Sequence, residues 1–144
     1  MAQKYEKQND KVFNQVGGQP GSHYGDVTFG FGADTTTVAG KIYMLSTDES
    51  SLVWALADQD STTATGLLAI ACGTSSSSDG MLLRGMSVLT VTNLVPGSPV
   101  YLGDSGEGTT TAPSGTGDRI RIIGYAIAAK ELYFNPDNSY IKLS

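Results

Sequence analysis

The sequence has few of the side chains from which catalytic and metal sites are built. It contains one histidine, His23, and one cysteine, Cys72. A single cysteine forms no intrachain disulfide, and one residue of each kind is too few for a zinc site, which needs a cluster of Cys and His. A Ser-His-Asp hydrolase needs its histidine beside the nucleophile, whereas we expect His23 to be an exposed linker residue. We therefore predict that the protein is not an enzyme, with no catalytic residues, no cofactor and no metal ion.

Clustered positive charge and long apolar runs are also missing. The net charge is −5 and the nine Lys and Arg residues are scattered along the chain. Binding to a phosphate backbone needs clustered Lys and Arg. No apolar run approaches the ~18 residues of a membrane-spanning helix, and the N-terminus lacks the apolar core of a secretory signal. We expect neither nucleic acid nor a membrane as a partner.

The sequence is instead rich in glycine and in short segments typical of β-strands. It contains 18 glycines, and from residue 66 onward runs of β-branched and aromatic residues alternate with Gly, Ser, Thr, Asp and Pro clusters. Runs 66–72 and 81–91 are apolar at both alternating positions, which indicates strands covered on both faces. Gly85 interrupts the second run and predicts a bulge or a sharp bend.

Further strand patterns occur at 27–31, 41–45 and 52–56, and Val27, Phe29 and Phe31 are expected to share one strand face. In the run Arg119-Ile120-Arg121-Ile122 the two arginines are expected on one face and the two isoleucines on the other. The prediction is an all-β fold of about eight to ten short strands, arranged as a compact antiparallel β-sandwich or barrel.

Residues 1–25 differ from the rest of the chain. Within them Val12, Phe13 and Val16 are the apolar residues at near-helical spacing, but so short an isolated helix is marginal in water. An extended arm is therefore favoured, and chain ends are poorly ordered unless other contacts hold them. We predict an N-terminal arm over 1–25 and a single β domain over 26–144.

Two pairs of carboxylates and several aromatic residues have more than one interpretation. Asp58 with Asp60, and Asp104 with Glu107, could cleave a glycosidic bond, as in an enzyme acting on cell-wall glycans, or bind calcium. Asp more commonly caps turns through its own side chain, so catalysis is the weakest of these interpretations and the sequence leaves calcium binding open. The aromatic residues of the strands could contact a partner or, more commonly, pack in the core; these are Tyr43, Trp54, Tyr101 and Tyr125. Cys72 lies in an apolar run and is expected to be a small buried thiol.

An ordered set of motifs resembles a module of tailed-bacteriophage virion proteins, found in structural proteins of marine and cyanobacterial phages. The matching segments are Lys41-Ile42-Tyr43, Trp54 to Asp58, Gly66 to Ala71, Gly80 to Gly85, Gly97 to Leu102, Ile123-Gly124-Tyr125 and Leu132 to Asp137. Proteins with this module are long fibres or short capsid proteins. The resemblance covers about residues 40–144 and implies a part of the virion rather than an active site.

The two roles differ in what must precede the module. A fibre needs a long shaft, and about 40 residues are too few for one, whereas a capsid decoration (cement) protein needs a compact β domain and an arm. We therefore expect a decoration protein that binds the major capsid protein and stabilises its lattice, with Tyr5, Val12, Phe13 and Val16 of the arm as contact residues. An arm of this kind can add a strand to an exposed sheet edge.

The resemblance further implies a homotrimer on the capsid exterior of the virion, made in the host cytoplasm. The alternative is a tail-associated or fibre-tip adhesin that recognises a host surface glycan. It would place Trp54 or the tyrosines on an exposed face and would use Asp58 or Asp104 to bind calcium.

Overall fold

The computed structural model describes residues 18–144, and they form an almost purely β-structure. The strands are β1 His23–Thr28, β2 Ile42–Asp48, β3 Ser51–Leu56, β4 Leu68–Ala71, β5 Met81–Val88, β6 Pro99–Leu102, β7 Gly108–Thr109, β8 Arg119–Ile120, β9 Ile122–Ala128, β10 Glu131–Phe134 and β11 Ile141–Lys142. Two short 3-10 turns lie at Thr62–Ala64 and Asp104–Gly106. None of the helices in this part of the chain is long and apolar enough to cross a membrane. The predicted all-β fold is confirmed.

One curled antiparallel sheet dominates the molecule. Nine strands belong to it, in the order β3-β2-β4-β5-β10-β9-β6-β7, with β1 added beside β5. The strands β8 and β11 form a separate antiparallel pair. The sheet curls into a half-barrel. A sandwich or a barrel was expected, and the observed sheet is curled like a barrel.

Two strands, β4 and β10, share one edge of β5. On one edge of β5, β1 pairs with it from Met81 to Ser87. On the other edge, β4 pairs with Met81 and Leu82, and β10 pairs with the segment from Gly85 to Val88. Leu83 and Arg84 therefore have no strand partner on that edge, and β4 and β10 diverge from β5 at this point.

A row of register partners that includes three glycines crosses the sheet. Gly25, Gly85, Phe134, Gly124 and Val100 are successive register partners on β1, β5, β10, β9 and β6. Gly25 has φ 149° and Gly85 φ 139°, and a Cβ atom on Gly85 would lie 2.3 Å from a carbonyl oxygen of β1. Only glycine fits so close an approach of two backbones. Phe134, which is fully buried, is the register partner of both Gly85 and Gly124.

The bulge predicted in the second apolar run is present, two residues before Gly85. Asp26 is the register partner of Arg84 and Val27 that of Leu82. Leu83 is therefore the extra residue of β5, and a bulge of this kind bends the strand that carries it.

The apolar residues form two clusters on opposite faces of β2, β4 and β5. The main core fills the concave side of the sheet, and its largest fully buried members include Ile42, Leu68, Ile70, Leu82, Leu102, Ile123, Leu132 and Phe134. The second cluster consists of Tyr43, Trp54, Ala69, Ala71 and Met81. Neighbouring residues of β4 thus belong to different clusters, which confirms for Leu68–Ala71 the prediction of a strand covered on both faces. In the second run the prediction holds only at the ends of β5, because Arg84 in its middle is exposed.

Two loops cover the second cluster. The Tyr43 hydroxyl accepts a hydrogen bond from the Val38 amide at 2.8 Å, and the Thr35 hydroxyl accepts one from the Trp54 amide at 3.2 Å. The Thr35 amide in turn donates to Ser76 Oγ at 2.8 Å. Hydroxyl groups therefore connect the loop at 33–38 and the Ser-rich loop at 74–79 to the strands beneath them.

The first strand differs from its predicted position. β1 begins at His23 and ends at Thr28, so Phe29 and Phe31 lie beyond the strand and do not share its face as expected. Phe31 has φ 68°, a left-handed backbone conformation that a strand excludes. Pairing with β5, rather than local composition, sets the start of β1. The expected boundary between arm and domain, after residue 25, therefore falls inside this strand.

Candidate functional site

The predicted contact residues of the arm, Tyr5, Val12, Phe13 and Val16, lie outside the described residues. The structure does show where the chain enters the sheet. Gly18 is buried, and the Gly21 amide donates to the carbonyl oxygen of Val88 at 3.0 Å. The residues from 18 onward are thus part of the folded domain.

The strand that follows, β1, lies at an edge of the sheet. It pairs with β5, and no other strand within residues 18–144 pairs with it. Edge strands present backbone groups to which another chain can add a strand. Large exposed aromatic side chains occur in this same segment: Tyr24 is 54% exposed, Phe29 57% and Phe31 44%. The segment from 23 to 31 therefore combines an open sheet edge with apolar surface.

The carboxylates of the Asp-rich turns form a group of three, whereas the sequence suggested two separate pairs. Oxygens of Asp58, Asp60 and Asp104 all lie within 4.8 Å of one another. Glu107 instead faces Lys41, with 3.9 Å between Oε2 and Nζ. The acidic cluster, as we call Asp58, Asp60 and Asp104, joins the loop after β3 to the 3-10 turn after β6.

Hydrogen bonds within the turns already occupy Asp58. Its Oδ1 accepts from the Asp60 amide at 3.3 Å, and its Oδ2 accepts from the Ser105 amide at 3.1 Å. This is the turn-capping interpretation of the sequence. The three carboxylates also have the chemistry that calcium prefers, because hard cations bind oxygen ligands.

The two neighbouring aspartates shift each other's pKa in opposite directions. Partial burial acts to raise the pKa of Asp58, but hydrogen bonds from Asp60 and from the Ser105 amide outweigh it, so this pKa is lowered. The pKa of Asp60 is raised, first by its hydrogen bond to Asp58 and then by the negative charge of Asp58. A proton is thus held more readily by Asp60 than by Asp58.

The aromatic residues separate into core and surface. Trp54 is 3% exposed and Tyr43 5%, which confirms the core interpretation for both. The expectation that an adhesin would expose Trp54 is therefore wrong, because the loop at 33–38 covers this residue. Tyr101 is half-buried, whereas Tyr125 is exposed on β9.

The single histidine and the single cysteine have structural contacts. His23 is half-buried in β1, with its Nδ1 2.8 Å from the Gly21 carbonyl oxygen, so it is not the exposed linker residue that was expected. Cys72 is half-buried against the main core. Burial raises the pKa of its thiol to about 11, which keeps the thiol protonated and weakly nucleophilic.

The position predicted for Arg121 from the alternating pattern is wrong. It was expected beside Arg119 on a half-exposed strand face, but it is 6% exposed and lies between β8 and β9, where the strand is interrupted. Its Nε donates to the Asp137 carbonyl oxygen at 2.8 Å, and its Nη1 donates to the carbonyl oxygens of Ala64 and Gly66 at 2.8 and 2.7 Å. No local signal distinguishes Arg121 from Arg119, because the carbonyl partners of Arg121 come from distant parts of the chain.

No protein-family model matches this chain, and no curated protein matches it. The resemblance to phage virion modules therefore stays a prediction.

Proposed function

We propose that this protein is a capsid decoration protein of a tailed bacteriophage. In this role it binds the assembled major capsid protein on the exterior of the virion, as a homotrimer made in the host cytoplasm. The observation that carries the proposal is the outer edge of β1, with which no strand among residues 18–144 pairs, together with the exposed aromatic residues Phe29 and Phe31 that follow it. Aromatic residues are enriched in protein–protein interfaces.

The mechanism is binding that favours the assembled shell. A capsid strand that pairs with the outer edge of β1 gains main-chain hydrogen bonds. A ligand that binds the assembled state and not its dissociated subunits stabilises the assembly by mass action. The half-barrel supports this role, since β5 pairs with its edge strand β1 from His23 to Thr28.

The decisive experiment deletes the N-terminal residues 1–17 and leaves the sequence of the domain unchanged. Deletion of residues 1–17 leaves every described contact in place, whereas a deletion to residue 21 would remove the hydrogen bond from Gly21 to Val88. We expect the truncated protein to lose co-sedimentation with purified, undecorated capsids while its unfolding midpoint is unchanged. Truncated protein that still saturates the capsids would show that the arm does not bind.

A second variant tests the aromatic residues beside β1. Replacing both Phe29 and Phe31 with Ser should weaken capsid binding, because the change removes exposed apolar surface. The matched control is Val95→Ser, which removes an apolar side chain of 54% exposure from another part of the domain. Equal capsid affinity of the two variants would exclude the β1 segment as the contact.

A tail-associated adhesin that binds a host glycan is the second candidate, and one observation favours it. Tyr125 is 51% exposed and lines a shallow depression together with Asn135, Asp137 and Asn138. An exposed aromatic ring beside amide and carboxylate groups suits a sugar ring with its hydroxyls. Binding of the protein to host cells but not to capsids, abolished by Tyr125→Ala, would favour this role.

A further inference from the structure

The division of the sheet at β5 opens a cleft of about 320 Å³. It lies where β4 and β10 diverge, beside the two residues of β5 that lack a strand partner on that edge, Leu83 and Arg84. The loop before β4 and the segment after β10 close its sides. The lining residues are Thr65, Gly66, Leu67, Leu68, Leu83, Arg84, Arg121, Asn135, Pro136 and Asn138.

Arg121 contributes a buried cation to this cleft, and its donors are only partly used. Its Nε and Nη1 donate to three backbone carbonyl oxygens, of Ala64, Gly66 and Asp137. A guanidinium has five N–H donors and stays charged in proteins. The remaining donors, on Nη2, have no acceptor in the part of the chain that the structure describes.

Arg84 lines the same cleft and is exposed. Within residues 18–144 it has no hydrogen bond to an acceptor and no carboxylate at ion-pair distance, and Arg121 has no such carboxylate either. The side chain of Asp137 attracts Arg121 from outside the cleft. The cleft therefore contains two of the three arginines of the chain and no carboxylate, although the chain has 14 acidic and nine basic residues.

The three carbonyl oxygens accept from Nε and Nη1 but carry no full negative charge, so the positive charge of Arg121 is compensated only in part. An oxyanion would complete the arrangement, because the planar guanidinium fork matches the oxygens of carboxylate, sulfate and phosphate. The side-chain amides of Asn135 and Asn138 add further donors to the lining. Leu67 and Leu83 give the cleft an apolar side against which the body of a small ligand can pack.

We propose that this cleft binds one oxyanionic group, either as a free inorganic anion or as the acidic group of a sugar. Arg121 is the fixed donor at the base, and Arg84 is the exposed donor that closes on the anion. The proposal does not depend on whether the protein decorates a head or a tail, since it rests on the lining of the cleft.

The test is an NMR titration of the full-length protein with three probes: inorganic sulfate, glucuronate and glucose. We expect saturable amide shifts for sulfate and glucuronate at Leu83, Arg84, Asn135 and Asn138, and no shifts for glucose. Tighter binding of glucuronate than of sulfate would show that the sugar body contributes, whereas equal affinities would assign the binding to the anion. Shifts that do not saturate, or that spread over the surface lysines, would overturn the proposal.

Variants then assign the anion to the arginines. Arg84→Gln should weaken binding about tenfold, which corresponds to one hydrogen bond between charged groups. The matched control is Lys142→Gln, which makes the same charge change on an exposed residue of β11. Equal loss in both variants would mean that only the overall charge matters, and the site would be wrong. The Arg84 side chain is exposed and makes no hydrogen bond or ion pair within residues 18–144, so its replacement should leave the fold intact.

Discussion

Two buried side chains of opposite charge differ in whether their hydrogen-bonding groups have partners. Arg121 and Glu131 are each 6% exposed. Arg121 donates to three backbone carbonyl oxygens, whereas Glu131 Oε1 is buried without a hydrogen-bond donor among residues 18–144. Burial raises the pKa of Glu131, only partly opposed by the charge of Lys130.

The difference indicates which charge has a structural role. The carbonyl groups bound by Arg121 belong to the loop before β4 and the segment after β10, so one side chain holds together two regions of the chain that lie far apart in sequence. Glu131, at the start of β10, connects nothing in the described structure. A buried charge stabilises a fold only where its hydrogen-bonding groups have partners, and on that basis Arg121 is required and Glu131 is a source of instability.

Replacement of Arg121 should produce the largest change in stability. Arg121→Met leaves three carbonyl oxygens without their donor, and we expect the free energy of unfolding to fall by about 3 kcal/mol or more, from the cost of unsatisfied buried groups. The control is Arg119→Met, since Arg119 is half-buried and makes one 3.5 Å contact, from its Nη1 to Gly117. Urea unfolding measures both variants, and equal losses would remove the distinction between the two arginines.

Asp58 extends the comparison to a carboxylate that does have partners. Asp58→Ala removes the acceptor of the Ser105 and Asp60 amides, and we expect a loss of about 1 kcal/mol, typical of a side chain that caps backbone amides. Asp60→Ala is the matched control, because Asp60 is exposed and its charge repels that of Asp58. It should not lower the unfolding midpoint. A larger loss for Asp60 than for Asp58 would contradict this description of the acidic cluster.

Replacement of Glu131 should have the opposite sign. Glu131→Gln keeps the shape of the side chain and removes the buried charge, so we expect the free energy of unfolding at neutral pH to rise, by about 1 kcal/mol at most. Thermal unfolding at pH 7 measures the effect. A clear loss of stability would mean that a partner stabilises the buried carboxylate, and Glu131 would then not be a source of instability.

The pH dependence separates the two carboxylates further. The pKa of Glu131 is raised in the folded state. The contribution of the protonated side chain to the free energy of unfolding is therefore fully present below its unfolded-state pKa of about 4.3, and it is lost as pH rises through its folded-state pKa. The stability gained in Glu131→Gln should therefore shrink between pH 7 and about pH 4. The pKa of Asp58 is lowered, so its contribution is present above about pH 3.9 and is lost as pH falls through the folded value. Differences from wild type that are constant with pH would contradict both assignments.

Much of the fold could be predicted from local pattern, because strands and turns leave local signals. The runs that became β2, β3, β4 and β5 were identified to within a few residues, and so was the interruption near Gly85. The start of β1 was missed, since its sequence HYGDVT contains glycine and polar residues and becomes a strand through pairing with β5. The strand β7, of two residues, is too short to leave a pattern.

The charged centres could be predicted less well, because distant residues form them. The sequence spacing paired Asp104 with Glu107, but the turn after β6 directs Asp104 to Asp58 and Asp60, and Lys41 faces Glu107 instead. Alternation predicted a shared exposed face for Arg119 and Arg121. The break between β8 and β9 turns Arg121 inward, and the cleft that it lines exists only because β4 and β10 diverge from β5.

The central claim, that this protein belongs to the outer surface of a phage head, is tested most directly by locating it on intact particles. Immunogold labelling with antibodies against residues 18–144, or cryo-electron microscopy of the virion, would make the measurement. The account predicts label or density distributed over the capsid surface, with three copies around each occupied site. Label confined to the tail or its fibres would contradict it and favour the adhesin.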